Sequence, residues 1–129
     1  LFWKKRPRAA FIMLVFPSVA GATSSLFKQI FARERPDIVP HLDSFNNLSF
    51  PSGHATNAMA ILLLAALLIP AGRRPFWIAL GLATALLVAA SRPLLGVHWV
   101  SDVVGGALLG AAFALAGAAT AQRVGDRPR

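Results

Sequence analysis

Four uncharged apolar runs, separated by polar or basic segments, constrain the fold of this chain more than any other feature. The first and last runs are 19 residues long and the two between them are 15. A helix of roughly 20 apolar residues crosses a bilayer. We therefore expect an all-α transmembrane bundle of four spans, in which polar residues at the ends of the short runs extend their helices. The runs are Ala9–Phe27, Ala55–Ile69, Phe76–Ala90 and Val103–Ala121.

The composition also indicates a membrane protein. Of the 129 residues, 56% are hydrophobic and only 14% are charged, which is too apolar for an ordinary soluble domain of this size. The absence of Cys excludes disulfides and a cysteine nucleophile. The net charge of +8 does not indicate nucleic acid as a partner, because the basic residues flank apolar runs instead of forming one patch. We predict one membrane-embedded domain over residues 1–129, with the lipid bilayer as its partner.

The positions of the Lys and Arg residues predict which end of the bundle faces the cytoplasm. With four spans, the amino terminus, the Arg73-Arg74 turn and the carboxyl tail share one side and carry nine of the 13 basic residues. The positive-inside rule places that side in the cytoplasm. The other side receives all three His residues and four of the five acidic residues. We therefore expect the polar chemistry to face outward.

Three separated polar motifs fall on that outward side. The first is a Lys that is followed, after six intervening residues, by Arg-Pro. The second is Pro-Ser-Gly-His. The third is Ser-Arg, followed after five intervening residues by His and after three more by Asp. They are Lys28 to Arg35-Pro36, Pro51-Ser52-Gly53-His54, and Ser91-Arg92 to His98 and Asp102. Pro93 disfavours helix in the residue before it, so we expect Arg92 at the end of the third span. If a helix begins near His98, residue 102 lies one turn further on the same face.

These residue types suit phosphate chemistry. An imidazole held by a carboxylate, as in His98 with Asp102, is an oriented nucleophile or base. Phosphoryl transfer requires neutralisation of the phosphoryl oxygens, for which Lys28, Arg35 and Arg92 supply cations. The N–H groups of Ser52 and Gly53, at the start of a predicted helix, could face a phosphate. For Ser52 a helix-capping role is equally open.

Each feature taken singly has a structural explanation. A basic residue or Trp99 at a span end is commonly an interfacial anchor, and a single His is commonly interfacial. Gly106 and Gly110 could allow close helix approach, or their spacing could be chance in so Ala- and Gly-rich a helix. Five charged or titratable residues between Lys28 and the second span, none of them a specified motif position, are predicted to be solvated loop: Arg33, Glu34, Asp37, His41 and Asp43.

Two other functions are compatible with the span pattern. A transporter subunit would need ionisable residues at mid-span, whereas every charge here lies at a span end. A catalytically silent membrane scaffold of the same shape would be favoured by the loss of a motif residue. No residue of the three motifs is lost, so the pattern favours an enzyme.

Together, the three motifs resemble those of the type 2 phosphatidic acid phosphatase superfamily, integral-membrane lipid phosphatases related to vanadium haloperoxidases. The resemblance extends from Lys28 to the end of the fourth span. It implies that His98 attacks phosphorus and becomes phosphohistidine, that Asp102 orients its ring, and that His54 is the general acid and base. It further implies that no metal or other cofactor is needed and that five residues bind the phosphate: Lys28, Arg35, Ser52, Gly53 and Arg92.

The resemblance also carries expectations about the whole protein. Members of this superfamily usually have six spans, and the four spans here resemble the last four, so we expect upstream spans to be missing from this chain. The expected substrate is a lipid phosphomonoester or pyrophosphate: phosphatidate, phosphatidylglycerophosphate, an isoprenyl pyrophosphate or a sphingoid phosphate. We expect a multi-pass protein of the bacterial inner membrane with its site facing outward.

Overall fold

The structure, a computed structural model, describes residues 6–36 and 48–124. These residues form four helices and, apart from one isolated bridge between Glu34 and Leu48, no β-structure. The all-α helical bundle predicted from the apolar runs is therefore confirmed. The helices are α1 (Pro7–Phe31), α2 (Gly53–Leu67), α3 (Arg74–Leu94) and α4 (Val100–Arg123).

Three of the four helices have the length of a membrane span. With 25, 21 and 24 residues respectively, α1, α3 and α4 are long and apolar enough to cross a membrane. The 15 residues of α2 extend over only about 22 Å at 1.5 Å per residue, less than the roughly 30 Å of a bilayer core. The expectation that polar residues lengthen this helix to a full span is thus not met: the motif residues Gly53 and His54 form its first turn after the Ser52 cap, but the helix ends at Leu67, before the apolar run does.

The central helix of the bundle is α2, which packs against the other three, while α3 and α4 meet along a short contact. Glycines let α4 approach α2 closely. A Cβ atom added at Gly106 would overlap the Ser52 carbonyl oxygen, and one added at Gly110 would overlap the Thr56 carbonyl oxygen. Of the two explanations for this glycine pair, the structure supports close helix approach.

The outer surface of the bundle is apolar. Large hydrophobic side chains on α1, α3 and α4 point away from the core, among them Phe11 and Leu14, Leu87, and Leu108 and Leu115. A soluble bundle would bury residues of this type, whereas acyl chains solvate them. This surface and the three span-length helices define a multi-pass membrane protein.

The basic residues predicted to share one side do so where the structure describes them. Arg6 donates a hydrogen bond to the Leu68 carbonyl (3.3 Å), and Arg8 donates one to the Val124 carbonyl (2.9 Å). These bonds join the start of α1 to the end of α2 and to the end of α4. The basic residues at positions 4, 5, 127 and 129 lie outside the described residues. The motif residues lie at the opposite end.

Candidate active site

The end of α1 positions the first motif. The helix continues for almost a turn beyond Lys28, so this residue belongs to the helix and does not follow it. Ala32, in a left-handed conformation (φ 45°), donates its N–H to the Lys28 carbonyl at 2.9 Å and turns the chain back. Arg35 then donates a hydrogen bond to the Val97 carbonyl at 3.3 Å. The turn thus brings both cations of the motif to the connection between α3 and α4.

The second motif begins α2. The Ser52 hydroxyl accepts the N–H of Ala55 at 3.4 Å, which confirms the capping role. The N–H of Ser52 donates to the Asp102 carbonyl at 2.8 Å, and the whole residue is buried. The expectation that this N–H faces a phosphate is therefore not met, because the fold uses it to tie α2 to α4. At this helix start, Gly53 and His54 reach the cavity, whereas Ser52 does not line it.

The third motif differs from its expected local structure in two respects. The helix α3 continues through Pro93 to Leu94, so Arg92 lies in its last turn, at the end of the third span as expected, although Pro93 does not stop the helix before it. The helix α4 begins at Val100, after His98. The histidine and Asp102 are therefore not stacked on one helical face. Asp102 instead accepts the N–H of Trp99 at 2.8 Å as part of the helix cap, and this places its Oδ2 3.5 Å from Nδ1 of His98.

The carboxylate of Asp102 is fully buried, and its partners include a residue that sequence reasoning missed. Arg33, predicted to be a solvated loop residue, donates Nη1 to Oδ1 of Asp102 at 3.0 Å and to the Ser101 hydroxyl at 2.6 Å. The only sequence signal for such a partner was Asp102 itself, because an acid that is buried requires a nearby cation. Trp99, expected to be an interfacial anchor, also makes a hydrogen bond within the fold, because its Nε1 donates to the Glu34 carbonyl at 3.1 Å. Residues 37–47, which include Asp37, His41 and Asp43, lie outside the described residues.

These elements surround a cavity of about 450 Å³ at the end of the bundle that holds the motif residues. Ser52, Arg92 and Asp102 do not line it. Asn57, which the motifs do not include, lies one turn after His54 and does line it. Its position three residues after His54 in a predicted helix could have indicated this, because residues three apart lie on the same face of a helix. The lining consists of Lys28, Arg35, Gly53, His54, Asn57, Ala58, Val88 and His98.

Burial and positive charge keep the His98 ring neutral. Burial, followed by the charges of Arg35 and Lys28, lowers the pKa of His98 to about 4, although Asp102 acts in the opposite direction. The ring therefore gains a proton only as the pH falls towards 4, and at neutral pH it retains a lone pair. With Nδ1 turned towards Asp102, Nε2 is the nitrogen available on the cavity side. A neutral, oriented imidazole of this kind is competent as a nucleophile.

The charge around the cavity suits an anion. The positive charges of Arg92, Lys28 and Arg35 all act on His54, and that of Arg92 acts most strongly. Arg92 is partly buried, and its Nε has no hydrogen-bond partner among the described residues. In residues 6–36 and 48–124, no three His, Cys, Asp or Glu side chains are grouped as a metal site would require. The site therefore presents cations and imidazoles to a bound group.

The fold and the site together define a multi-pass helical membrane protein with a cavity at one end that is lined by cations and imidazoles. The sequence model of the PAP2 superfamily matches residues 9–126. The chain belongs to this superfamily, which confirms the resemblance drawn from the motifs.

Named relatives include proteins with different lipid substrates in their names. Decaprenylphosphoryl-5-phosphoribose phosphatase of Mycobacterium tuberculosis is 41% identical over 96 residues, which cover 72% of this chain and 50% of that protein. Phosphatidylglycerophosphatase B of Bacillus subtilis is 35% identical over 118 residues, covering 84% and 56%. The crystal structure of a transmembrane PAP2-type phosphatidylglycerolphosphate phosphatase from Bacillus subtilis matches with a TM-score of 0.81 at 28% identity, covering 88% of this chain and 59% of that one. The chain thus spans about half the length of the curated relatives it matches.

Proposed function

We propose that this chain carries the catalytic site of an integral-membrane lipid phosphate phosphatase that works through a phosphohistidine at His98. One observation carries the proposal most strongly. A buried, neutral imidazole lies 3.5 Å from a buried carboxylate and borders a cavity that Lys28 and Arg35 also line. Such an arrangement provides a nucleophile and the charge that a transferring phosphoryl group requires.

The reaction proceeds in two displacements. In the first, Nε2 of His98 attacks phosphorus, the bond to the leaving oxygen breaks, and His54 donates a proton to that oxygen. In the second, His54 takes a proton from water, whose oxygen attacks phosphorus and breaks the N–P bond. Inorganic phosphate leaves, and His54 again carries the proton for the next cycle.

The remaining site residues bind or orient. Lys28 and Arg35, which line the cavity, neutralise the phosphoryl oxygens as charge develops on them, and Arg92 adds positive charge from beside His54. The N–H of Gly53, at the start of α2, adds a donor and the positive end of the helix dipole. Ser52 fixes that helix start, and Asp102 holds the His98 ring so that Nδ1 faces away from the phosphate.

The substrate we propose is a lipid phosphomonoester or pyrophosphate. The names of the relatives include an isoprenyl-linked sugar phosphate and a phospholipid phosphate, and the shared feature is a phosphate on a membrane lipid. Purified protein in detergent should release phosphate from at least one of phosphatidate, phosphatidylglycerophosphate, an isoprenyl pyrophosphate or a sphingoid phosphate. Folded protein that binds inorganic phosphate but turns over none of them would instead indicate a silent scaffold.

Turnover should be independent of divalent metal. The proposed site neutralises the phosphate with Lys and Arg side chains and does not use a carboxylate cluster that would hold Mg²⁺. We expect the rate of phosphate release in excess EDTA to equal the rate in buffer with added Mg²⁺. Loss of turnover in EDTA, followed by recovery with Mg²⁺, would contradict the mechanism.

We propose that the protein lies in the bacterial inner membrane with the site facing outward, because the basic residues gather at the other end. A cysteine introduced at Asn46, in the sequence between the first and second motifs, should react in intact cells with a membrane-impermeant thiol reagent. A cysteine at Gly72 should react only after the membrane is opened. Gly72 is a suitable control position because a Cβ there would meet no atom within 4 Å, and the chain has no other Cys. The reverse labelling pattern would place the site in the cytoplasm.

A further inference from the structure

We propose that Arg33 is a positioning residue, which holds the Asp102 carboxylate in the orientation that directs it at His98. The proposal deepens the proposed function and rests on it. Arg33 lies outside the motif positions, and it is separated from Asp102 by 69 residues in sequence.

The two carboxylate oxygens of Asp102 have different partners. Oδ1 accepts Nη1 of Arg33 at 3.0 Å. Oδ2 accepts the backbone N–H of Trp99 at 2.8 Å and lies 3.5 Å from Nδ1 of His98. Since a carboxylate is planar, fixing Oδ1 also fixes the direction of Oδ2. The guanidinium and the Trp99 N–H, one on each oxygen, therefore hold the orientation of the group that faces the imidazole.

The position of Arg33 is itself fixed. Its Nη1 also donates to the Ser101 hydroxyl at 2.6 Å, and its guanidinium carbon lies 5.6 Å from the centroid of the Trp99 ring. Its carbonyl accepts the N–H of Ser49 at 2.7 Å. A cation held by an acceptor, an aromatic face and its own backbone loses little further freedom in forming the pair with Asp102.

Arg33 acts through Asp102 and not on the phosphate. Its side chain is 42% exposed, whereas that of Asp102 is fully buried, and Arg33 does not line the cavity. Removing the guanidinium would leave Oδ1 without its cation, and a buried carboxylate that loses its partner rearranges or destabilises its surroundings. Oδ2 would then leave Nδ1, and His98 would lose its fixed ring orientation and tautomer.

The first test replaces Arg33 by Gln and, separately, by Lys. The rate constant of the p-nitrophenol burst from p-nitrophenyl phosphate should fall by about 10- to 100-fold in Arg33→Gln, the usual cost of losing an outer-shell partner. The loss should be smaller in Arg33→Lys, which keeps the charge but not the planar fork. The inhibition constant of inorganic phosphate should not change, because Arg33 does not contact the anion. Arg8→Gln, which removes an arginine from the opposite end of α1, is the matched control and should behave as wild type.

The second test combines Arg33→Gln with Asp102→Asn. If Arg33 acts only through Asp102, adding Arg33→Gln to Asp102→Asn should cost no further activity. Equal losses in the two backgrounds, or weaker phosphate binding in Arg33→Gln, would overturn the proposal. Should Arg33→Gln fail to fold, an unchanged burst in folded Arg33→Lys would also overturn it. Wild-type protein that releases no phosphate from any substrate would refute the proposed function instead.

Discussion

Replacing His98 by Ala should abolish formation of the phosphoenzyme and should stop turnover of every substrate, whatever its leaving group. The variant has no nucleophile to form the N–P bond, and the loss should be on the order of 10⁶-fold, as when the nucleophile of a serine protease is removed. His98 is only 3% exposed, so no other side chain takes its place without rearrangement. The measurement is rapid-quench release of p-nitrophenol together with trapping of acid-labile phosphoenzyme.

Chemical rescue provides the control for this variant. His98→Gly leaves a space of imidazole shape beside Asp102, and added imidazole should restore part of the p-nitrophenol release. The product of that reaction is phosphoimidazole, so no phosphate should remain on the protein. A burst of p-nitrophenol from His98→Ala without added imidazole would show that His98 is not the nucleophile.

The bundle itself could be predicted from the sequence because its cause is local. Uncharged runs of about 20 residues have few alternatives to a membrane helix, and the bundle ends follow from where the charges lie. The helix ends were less predictable. The helix α1 passes Lys28 and stops at Ala32, where a left-handed residue returns its N–H to the helix. The helix α3 passes Pro93, which the last turn of a helix tolerates when the chain beyond it is held by other contacts.

The motif residues could be placed at one end, but their contacts could not be derived from spacing. The pairing of His98 with Asp102 was expected from one helical face, and the structure achieves it through the cap of α4. The N–H of Ser52 was expected to face the phosphate and instead binds the Asp102 carbonyl. Such bonds depend on the close approach of α2 and α4, and Gly106 permits that approach.

Arg33 illustrates why long-range partners were missed. Its sequence neighbourhood is polar and is typical of a loop. The requirement for a cation comes from Asp102, a carboxylate that α4 buries completely. A single sequence reveals that a buried acid needs a partner, but three-dimensional packing decides which of the available arginines supplies it.

His54, the other histidine of the proposed mechanism, should show a dependence on the leaving group that His98 does not. His54→Ala removes general-acid assistance, which is worth roughly 10²–10⁴-fold when the leaving oxygen is a poor leaving group. With an alkyl phosphate lipid, the rate of the phosphorylation step should therefore fall by a factor of that size. With p-nitrophenyl phosphate the leaving phenolate is stable without a proton, so the burst should remain close to wild type. Rapid quench with both substrates measures the two phosphorylation rates.

The same variant should accumulate phosphoenzyme when it is given p-nitrophenyl phosphate. His54 is exposed, lines the cavity and is the group proposed to activate water, so its loss should slow the second displacement even where the first needs no acid. Acid-labile phosphate on the protein should thus approach one per chain and decay slowly, whereas wild type should show less of it during turnover. Because both substrates are assayed with the same variant, a folding defect would lower the two bursts equally. A burst reduced to the same extent for both leaving groups would therefore remove His54 from the role of general acid.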